Sequence, residues 1–141
     1  MIRGERYFFS RREGTQNQPS FYWREGYKGD SKLLLDPAKL DPSGLTTITW
    51  ISPSQDGRQV AYGTYKAGDE NTTLHLIEVD SGKLLPLEIP NKTQAPDWMP
   101  DGSGFLYQNL ADPKNPYSGR VLYHRMGTDV AQDAVLFRQF T

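Results

Sequence analysis

Few side chains in this sequence have the type and setting that chemistry requires. Histidine occurs at His75 and His124, and Ser103 stands between glycines in the run Asp101-Gly102-Ser103-Gly104. A serine hydrolase needs its nucleophile in a G-x-S-x-G turn between a strand and a helix, together with an acid and a histidine. That motif is absent, and the Asp-Gly pair before Ser103 is typical of a hairpin turn. The sequence therefore predicts no catalytic residue.

Metal binding has no better support. There is no cysteine, and the two histidines belong to separate predicted strands without a third ligand at a suitable spacing. The run Asp69-Glu70-Asn71 lacks the spacing of a calcium-binding EF-hand loop, so we interpret it as a solvated hairpin tip. We expect no metal site and no cofactor.

The histidines and the aromatic runs have a structural interpretation instead. Because alternate residues of a strand share a face, His75 lies with Ile77, and His124 lies with Leu122. We expect both imidazoles to pack inside the fold with hydrogen-bonded rings. The aromatic runs at residues 7–9 and 21–23 could stack on bases or sugars, but sheets that pack on both faces need such side chains. We therefore expect these runs in the core.

The composition excludes several classes of protein. The 141 residues are 36% apolar, 12% aromatic and 23% charged, with a net charge of −1, which is typical of a globular domain. The balanced charge provides no global field for nucleic acid or for an anionic membrane. Apolar runs are short and the first residues carry charges, so we expect neither a membrane span nor a signal peptide. The expected location is cytoplasmic or periplasmic.

The elements that must position all of these residues are short strands separated by turns. Thirteen glycines and 10 prolines favour turns, and no stretch repeats its apolar residues at helical spacing. The sequence predicts an all-β fold of antiparallel hairpins. The predicted strands are residues 6–11, 21–24, 32–36, 46–51, 59–66, 72–79, 84–87, 95–98, 104–108, 121–125 and 135–137.

An internal repeat organises these strands. Asp56-Gly57 followed by Tyr62 recurs 45 residues later as Asp101-Gly102 followed by Tyr107, and each copy begins a series of four predicted strands. A repeat of this length with four strands is typical of a blade, the four-stranded sheet from which a β-propeller is built. We predict blade-like units at about residues 5–36, 46–89 and 95–137. The first unit is expected to lack its first strand, and residues 37–44 are expected to form a loop because prolines disfavour a strand there.

About three blades are fewer than the 4 to 8 that close a propeller. Residues 1–141 are therefore interpreted as a fragment of a single β-propeller domain. Such a fragment exposes the apolar faces of its terminal sheets, so we expect it to self-associate.

Four local motifs resemble the N-terminal part of the propeller of prolyl oligopeptidases, which are serine peptidases that cleave short peptides after proline. Residues 14–18 (GTQNQ) resemble the family's first hairpin loop, and residues 35–40 resemble its first crossover. Residues 54–63 resemble the next hairpin, and residues 122–129 complete the set. Oligopeptidase B, a relative that cleaves after basic residues, shares the last turn, but the Gln-Asn-Gln of residues 16–18 favours the proline-specific branch.

The resemblance implies a larger parent enzyme. In the family a seven-bladed propeller covers an α/β-hydrolase domain that holds the catalytic Ser, Asp and His, and no residue here matches those three. The propeller admits short peptides and excludes folded proteins. One family position, an aromatic that helps form an apolar outer subsite, aligns with Leu106, next to Phe105. The expected partners are the rest of the propeller, the hydrolase domain and, through the parent, short peptides; the alternative is a free-standing β-repeat module that binds a peptide or glycan.

Overall fold

The structure, a computed structural model, describes residues 1–12, 14 and 18–138. Within these residues twelve strands form three antiparallel four-stranded sheets that follow one another along the chain. No helix in the described part of the chain has the length and apolar character needed to cross a membrane.

The first sheet has the strand order β1-β2-β3-β4 and occupies the N-terminal quarter of the chain. Its strands are β1 (Ile2–Arg3), β2 (Arg6–Arg11), β3 (Ser20–Glu25) and β4 (Lys32–Leu35).

The second and third sheets repeat the same meander. The second consists of β5 (Thr46–Pro53), β6 (Gln59–Lys66), β7 (Asp69–Glu78) and β8 (Leu84–Ile89). The third consists of β9 (Asp97–Trp98), β10 (Gly104–Leu110), β11 (Gly119–Arg125) and β12 (Ala134–Arg138). A short 3-10 helix, Val130–Gln132, precedes the last strand.

The two Asp-Gly hairpins have the same hydrogen bonds, which confirms the repeat. In the second sheet the Gly57 amide donates to the Ser54 carbonyl at 3.0 Å, and in the third sheet the Gly102 amide donates to the Met99 carbonyl at 2.9 Å. Gly57 and Gly102 have φ angles of +70° and +73°, which favour glycine. At Gly57 a Cβ would also lie 3.1 Å from Arg6 Cδ of the first sheet, so this turn allows close approach between sheets.

The predicted absence of a first strand in the first sheet is wrong. Ile2–Arg3 pairs with β2 through Ile2↔Tyr7 and Arg3↔Arg6, and Gly4, at φ +61°, turns the chain between them. Two residues are too few to display the alternation by which a strand is recognised in sequence.

The predicted loop at residues 37–44 also contains one turn of helix, α1 (Pro37–Leu40). Pro37 occupies the first helical turn, where its missing N–H costs nothing, and Asp36 Oδ1 accepts a hydrogen bond from the Ala38 amide at 3.0 Å. The prolines that exclude a strand are therefore compatible with the start of a helix.

The sheets stack in chain order around two cores. The core between the first and second sheets contains Phe8 and Trp23 from one side and Val60, Tyr62 and Ile77 from the other. The core between the second and third sheets consists mainly of Ala61, Leu74, Leu76, Ile89, Trp98, Phe105, Tyr107 and Leu122. Because successive residues of a strand point to opposite faces, β6 and β7 contribute to both cores, and the middle sheet is covered on both sides.

Polar side chains also join neighbouring sheets. Arg6 of the first sheet donates to the Gly57 carbonyl at 2.9 Å and to Asp80 Oδ1 at 2.5 Å, while its guanidinium lies 4.7 Å from the Trp23 ring centroid. Trp98 Nε1 of the third sheet donates to the Ser52 carbonyl of the second at 2.9 Å. These bonds fix the relative position of successive sheets in addition to the apolar contacts.

Candidate functional site

The residues predicted to contact a peptide, Phe105 and Leu106, lie on opposite faces of β10. Phe105 is 0% exposed and packs edge-on against Trp98, with ring centroids 5.1 Å apart. Leu106 is partly exposed on the outer face of the third sheet, between its strand partners Asp97 and Tyr123. Only Leu106 of this pair presents accessible surface.

The internal repeat places a residue equivalent to Leu106 in the second sheet, and the contacts of that residue indicate what this position packs against. Ala61 precedes Leu106 by 45 residues, at the same place in the second sheet, and is fully buried in the core shared with the third sheet. The equivalent surface around Leu106 therefore has the character of a face that packs against a following sheet. Contact of Leu106 or Phe105 with a peptide stays a prediction.

His124 belongs to a buried hydrogen-bonded network. Its Nδ1 lies 2.8 Å from Asp133 Oδ1, and the Tyr107 hydroxyl donates to Asp133 Oδ2 at 2.6 Å. The side chains of His124 and Asp133 are 2% and 1% exposed. Burial and the hydrogen bond to Asp133 raise the pKa of Tyr107 well above its ordinary value. A paired acid and histidine resemble part of a catalytic triad, but a substrate cannot reach this imidazole, so the network braces the third sheet.

His75 is more accessible and lies beside a cleft. Its Nε2 lies 3.0 Å from the Thr64 hydroxyl, and its ring stacks on Tyr62 with centroids 5.3 Å apart. Burial lowers the pKa of His75 below its ordinary value. Burial, with a smaller effect of the Glu88 charge, raises the pKa of Tyr62 to about 12. Both rings are therefore neutral near pH 7, as expected for packing residues.

The cleft beside His75 has a volume of about 600 Å³ and is lined by both apolar and polar side chains. Leu40, Tyr62 and Pro86 supply apolar surface, and Lys66 and Glu88 supply opposite charges. The described residues contain no group of three or more His, Cys, Asp or Glu side chains placed to share a metal ion.

Ser103 lies in a turn, where its amide donates to Asp101 Oδ1 at 3.0 Å within the hairpin. The run at residues 69–71, expected at a hairpin tip, instead begins β7 directly after the turn at residues 67–68, and Asp69 Oδ1 accepts from the Asn71 amide at 3.1 Å. Of the predicted first hairpin loop, Gln18 donates from Nε2 to the Thr46 carbonyl at 3.1 Å. Residues 15–17 of that motif lie outside the described residues.

The first aromatic runs divide between core and surface. Phe8 and Trp23 are buried as predicted, but Tyr7, Phe9 and Tyr22 are partly exposed on the outer face of the first sheet. Phe9 and Tyr22 stack with centroids 5.8 Å apart. Strand alternation could have separated these two sets of residues, but it does not indicate which of the two faces packs against another sheet of the described residues.

A comparison with protein families places this fold. Residues 1–140 match the family model of the prolyl oligopeptidase N-terminal β-propeller domain. Dipeptidyl aminopeptidase BI of Pseudoxanthomonas mexicana is 34% identical over 86 residues, which are 61% of this chain and 12% of that protein. Protease 2 of Moraxella lacunata is 20% identical over 96% of this chain and 21% of that protein.

Solved structures agree with this assignment. A chain from a structural study of two prolyl endopeptidases superimposes with a TM-score of 0.91 and 31% identity, covering 99% of this chain and 22% of that one. Prolyl oligopeptidase B from Galerina marginata, in its apo form, has the same fold, with a TM-score of 0.80 and 21% identity over 96% of this chain and 22% of that one. The chain thus spans about a fifth of the length of these structures. Its three sheets, its repeat and its match over residues 1–140 show that it belongs to the prolyl oligopeptidase family, in the N-terminal β-propeller domain.

Proposed function

We propose that this chain is a non-catalytic part of the propeller of a prolyl-oligopeptidase-like serine peptidase. In the parent enzyme it gates the access of short proline-containing peptides to a Ser/Asp/His site on a separate α/β-hydrolase domain. The observation that carries the proposal is the family match over residues 1–140, together with three successive four-stranded sheets. The stack is rigid because the middle sheet packs on both sides, and a rigid wall can exclude large substrates by size.

Assay of the 141-residue chain with a proline-linked chromogenic peptide tests its lack of catalysis. We expect no hydrolysis at any pH, because His124 is enclosed in the core and Ser103 lies in a turn. Turnover that a serine-directed phosphonate abolishes would overturn the proposal.

The gene sequence on both sides of this segment distinguishes a propeller fragment of a larger peptidase from a free-standing binding module. Further Asp-Gly blades and a G-x-S-x-G motif are expected, whereas a gene encoding this segment alone would contradict the gating role.

Within this proposal Leu106 is assigned to the apolar outer subsite for the peptide. Leu106→Ser in the complete enzyme should then raise KM several-fold for peptides with an apolar residue upstream of the proline, with kcat unchanged. The matched control is Leu136→Ser, because Leu136 is also an exposed leucine of the third sheet. If Leu106→Ser lowers only thermal stability, the residue packs against a following blade and does not contact the peptide.

A further inference from the structure

The cleft beside His75 lies on the face of the middle sheet that packs on the first sheet. Tyr62, in its wall, belongs to the core shared by these two sheets, and Leu40 of α1 packs against the same core. A smaller cleft of about 260 Å³ adjoins it and shares Thr64, Lys66 and His75 with it. Both sheets and the crossover between them belong to this chain, so the cleft is a feature of an internal interface of the stack.

The internal repeat shows that the middle sheet departs from its own pattern at this cleft. Tyr62 and Tyr107 are 45 residues apart and hold the same place in their sheets. Tyr107 pairs across strands with Leu122, which is buried in the core between the second and third sheets. Tyr62 pairs instead with His75, which is partly exposed. A polar ring therefore stands where the repeat has a buried leucine.

The segments that connect the sheets differ at the same place. In the crossover from the second sheet to the third, the Pro90 carbonyl accepts a hydrogen bond from Asn109 Nδ2 at 3.2 Å. Thr64 precedes Asn109 by 45 residues, and within the described residues its hydroxyl contacts His75 instead of a crossover. The crossover before the middle sheet forms α1 and adds Leu40 to the lining of the cleft. It therefore leaves open, in the first interface, a place that is bridged in the second.

Neutral polar groups in the cleft have hydrogen-bonding capacity left for a ligand. His75 Nε2 lies 3.0 Å from the Thr64 hydroxyl, so Nδ1 of the same ring has no partner among the residues that the structure describes. The Tyr62 hydroxyl also makes no hydrogen bond in that part of the chain. Because burial lowers the pKa of His75 and raises the pKa of Tyr62 to about 12, both rings are neutral near pH 7. Hydroxyl and neutral imidazole groups can donate or accept, as a peptide group requires.

Two opposite charges also line the cleft. Lys66 ends β6 and Glu88 lies in β8, with β7 between them, so their strands are about 10 Å apart. Neither side chain has an ion-pair partner within the described residues. Asp41 is near enough to interact with the Lys66 charge, but its oxygens accept hydrogen bonds from the Ser43 and Thr46 hydroxyls. The cleft therefore offers one cation and one anion to a single ligand.

We propose that this cleft binds a short apolar peptide of two or three residues with both termini free. The α-ammonium group of the peptide pairs with Glu88 and its carboxylate pairs with Lys66, while its side chains contact Leu40 and Pro86. An extended residue spans about 3.3–3.6 Å, so two or three residues match the separation of the charged strands. The volume of about 600 Å³ lies within the range of small-ligand sites, about 300–1,000 Å³.

The same charges disfavour other small ligands. A free amino acid carries both charges on one carbon and cannot reach both side chains, and a phosphate would be repelled by Glu88. The inference goes beyond the proposed function, because the peptide is held between two sheets of this chain and not at the hydrolase site. Its failure would leave the proposed function intact.

Saturation-transfer difference NMR of the 141-residue chain with the tripeptide Leu-Ala-Leu tests the proposal. We expect a Kd of about 1 mM or below. Lys66→Gln and Glu88→Gln should each weaken binding about five-fold, since each removes one ion pair. The N-acetylated peptide should bind the unmodified chain about five-fold more weakly and be insensitive to Glu88→Gln. The C-terminal amide should behave in the same way toward Lys66→Gln.

Lys28→Gln and Asp30→Asn are the matched controls, because both residues are exposed in the turn between β3 and β4, outside the cleft. They should leave the Kd unchanged. Circular dichroism and urea unfolding must show that every variant is folded; an unfolded one is replaced by Lys66→Met or Glu88→Met. No saturable binding below about 10 mM would overturn the proposal. Equal effects of cleft and control variants, or a Glu88→Gln effect that is as large for the acetylated peptide as for the free one, would also overturn it.

Discussion

Asp133 shows how one buried carboxylate can hold several elements of a sheet together. It accepts a hydrogen bond from Tyr107 of β10 and pairs with His124 of β11, directly before β12 begins. Asp133→Ala would leave the Tyr107 hydroxyl and the imidazole without their partner. We expect a loss of about 3 kcal/mol in the free energy of unfolding, against about 1 kcal/mol for Tyr107→Phe.

Urea unfolding followed by circular dichroism measures both losses. Asp129→Ala is the control, because Asp129 only caps the short 3-10 helix by accepting from the Ala131 amide at 3.0 Å. An Asp133→Ala variant that is no less stable than Asp129→Ala would show that the network contributes nothing to the fold.

The buried tyrosines predict a loss of stability in alkali. Burial raises the pKa of Tyr62 from 10.0 to about 12. Above pH 10 the unfolded chain loses this proton while the folded chain keeps it. The stabilisation is therefore complete below pH 10 and is lost as the pH rises through about 12, with a slope of up to about 1.4 kcal/mol per pH unit.

Tyr62→Phe should reduce the slope of unfolding free energy against pH between pH 10 and 12. Tyr117→Phe is the matched control, because Tyr117 is an exposed tyrosine in a loop, and it should leave the slope unchanged. Equal slopes in the unmodified chain and in Tyr62→Phe would contradict the effect of burial. Urea titrations at several pH values provide the comparison.

At the level of the strands, Gly63 allows β5 and β6 to pair beneath a tryptophan. A Cβ at Gly63 would lie 2.5 Å from Cε2 of Trp50, its cross-strand partner. Gly63→Ala should therefore destabilise the chain by about 1–3 kcal/mol, because the indole must move. In a Trp50→Leu background the same substitution should cost much less. A cost that is equal in both backgrounds, measured by urea unfolding, would exclude the contact as its cause.

The strands show what sequence patterns predict well. Eleven of the twelve strands are predicted, and β2 and β6 have the predicted bounds, because alternation and Asp-Gly turns are local signals. β1 is missed because two residues are too few to show the alternation of apolar and polar side chains. β9 is shorter than predicted because Pro96 has no N–H to donate. The helical turn at Pro37–Leu40 depends on a cap at Asp36, which a strand-directed search does not consider.

The candidate site was less predictable, since it depends on contacts between sheets. The burial of His124 follows from alternation, but its link to Asp133 and Tyr107 joins residues of three separate segments. The bridges from Arg6 to Gly57 and Asp80 likewise cross from one sheet to the next. No local pattern encodes such pairings, and a single sequence provides no record of which residues vary together.

For the whole molecule, the arrangement of the cores implies a gradient of stability. Among residues 1–12, 14 and 18–138 the middle sheet packs on both sides, whereas each terminal sheet packs on one. In a stack where each unit contacts only its neighbours, stability is a sum of unit and interface contributions. The amides of β6 and β7 should therefore exchange with solvent most slowly, and those of the first and third sheets should exchange faster.

Reciprocal core substitutions can test this gradient through native-state hydrogen exchange. Phe8 lies in the core between the first and second sheets, and Phe105 lies in the core between the second and third. Each phenylalanine-to-leucine change removes buried contacts and should cost about 1 kcal/mol. Phe8→Leu should speed exchange mainly in the first sheet, and Phe105→Leu mainly in the third, because each weakens a different interface. Each variant is the other's control, and an equal increase in exchange across all three sheets would show that the chain unfolds as one cooperative unit.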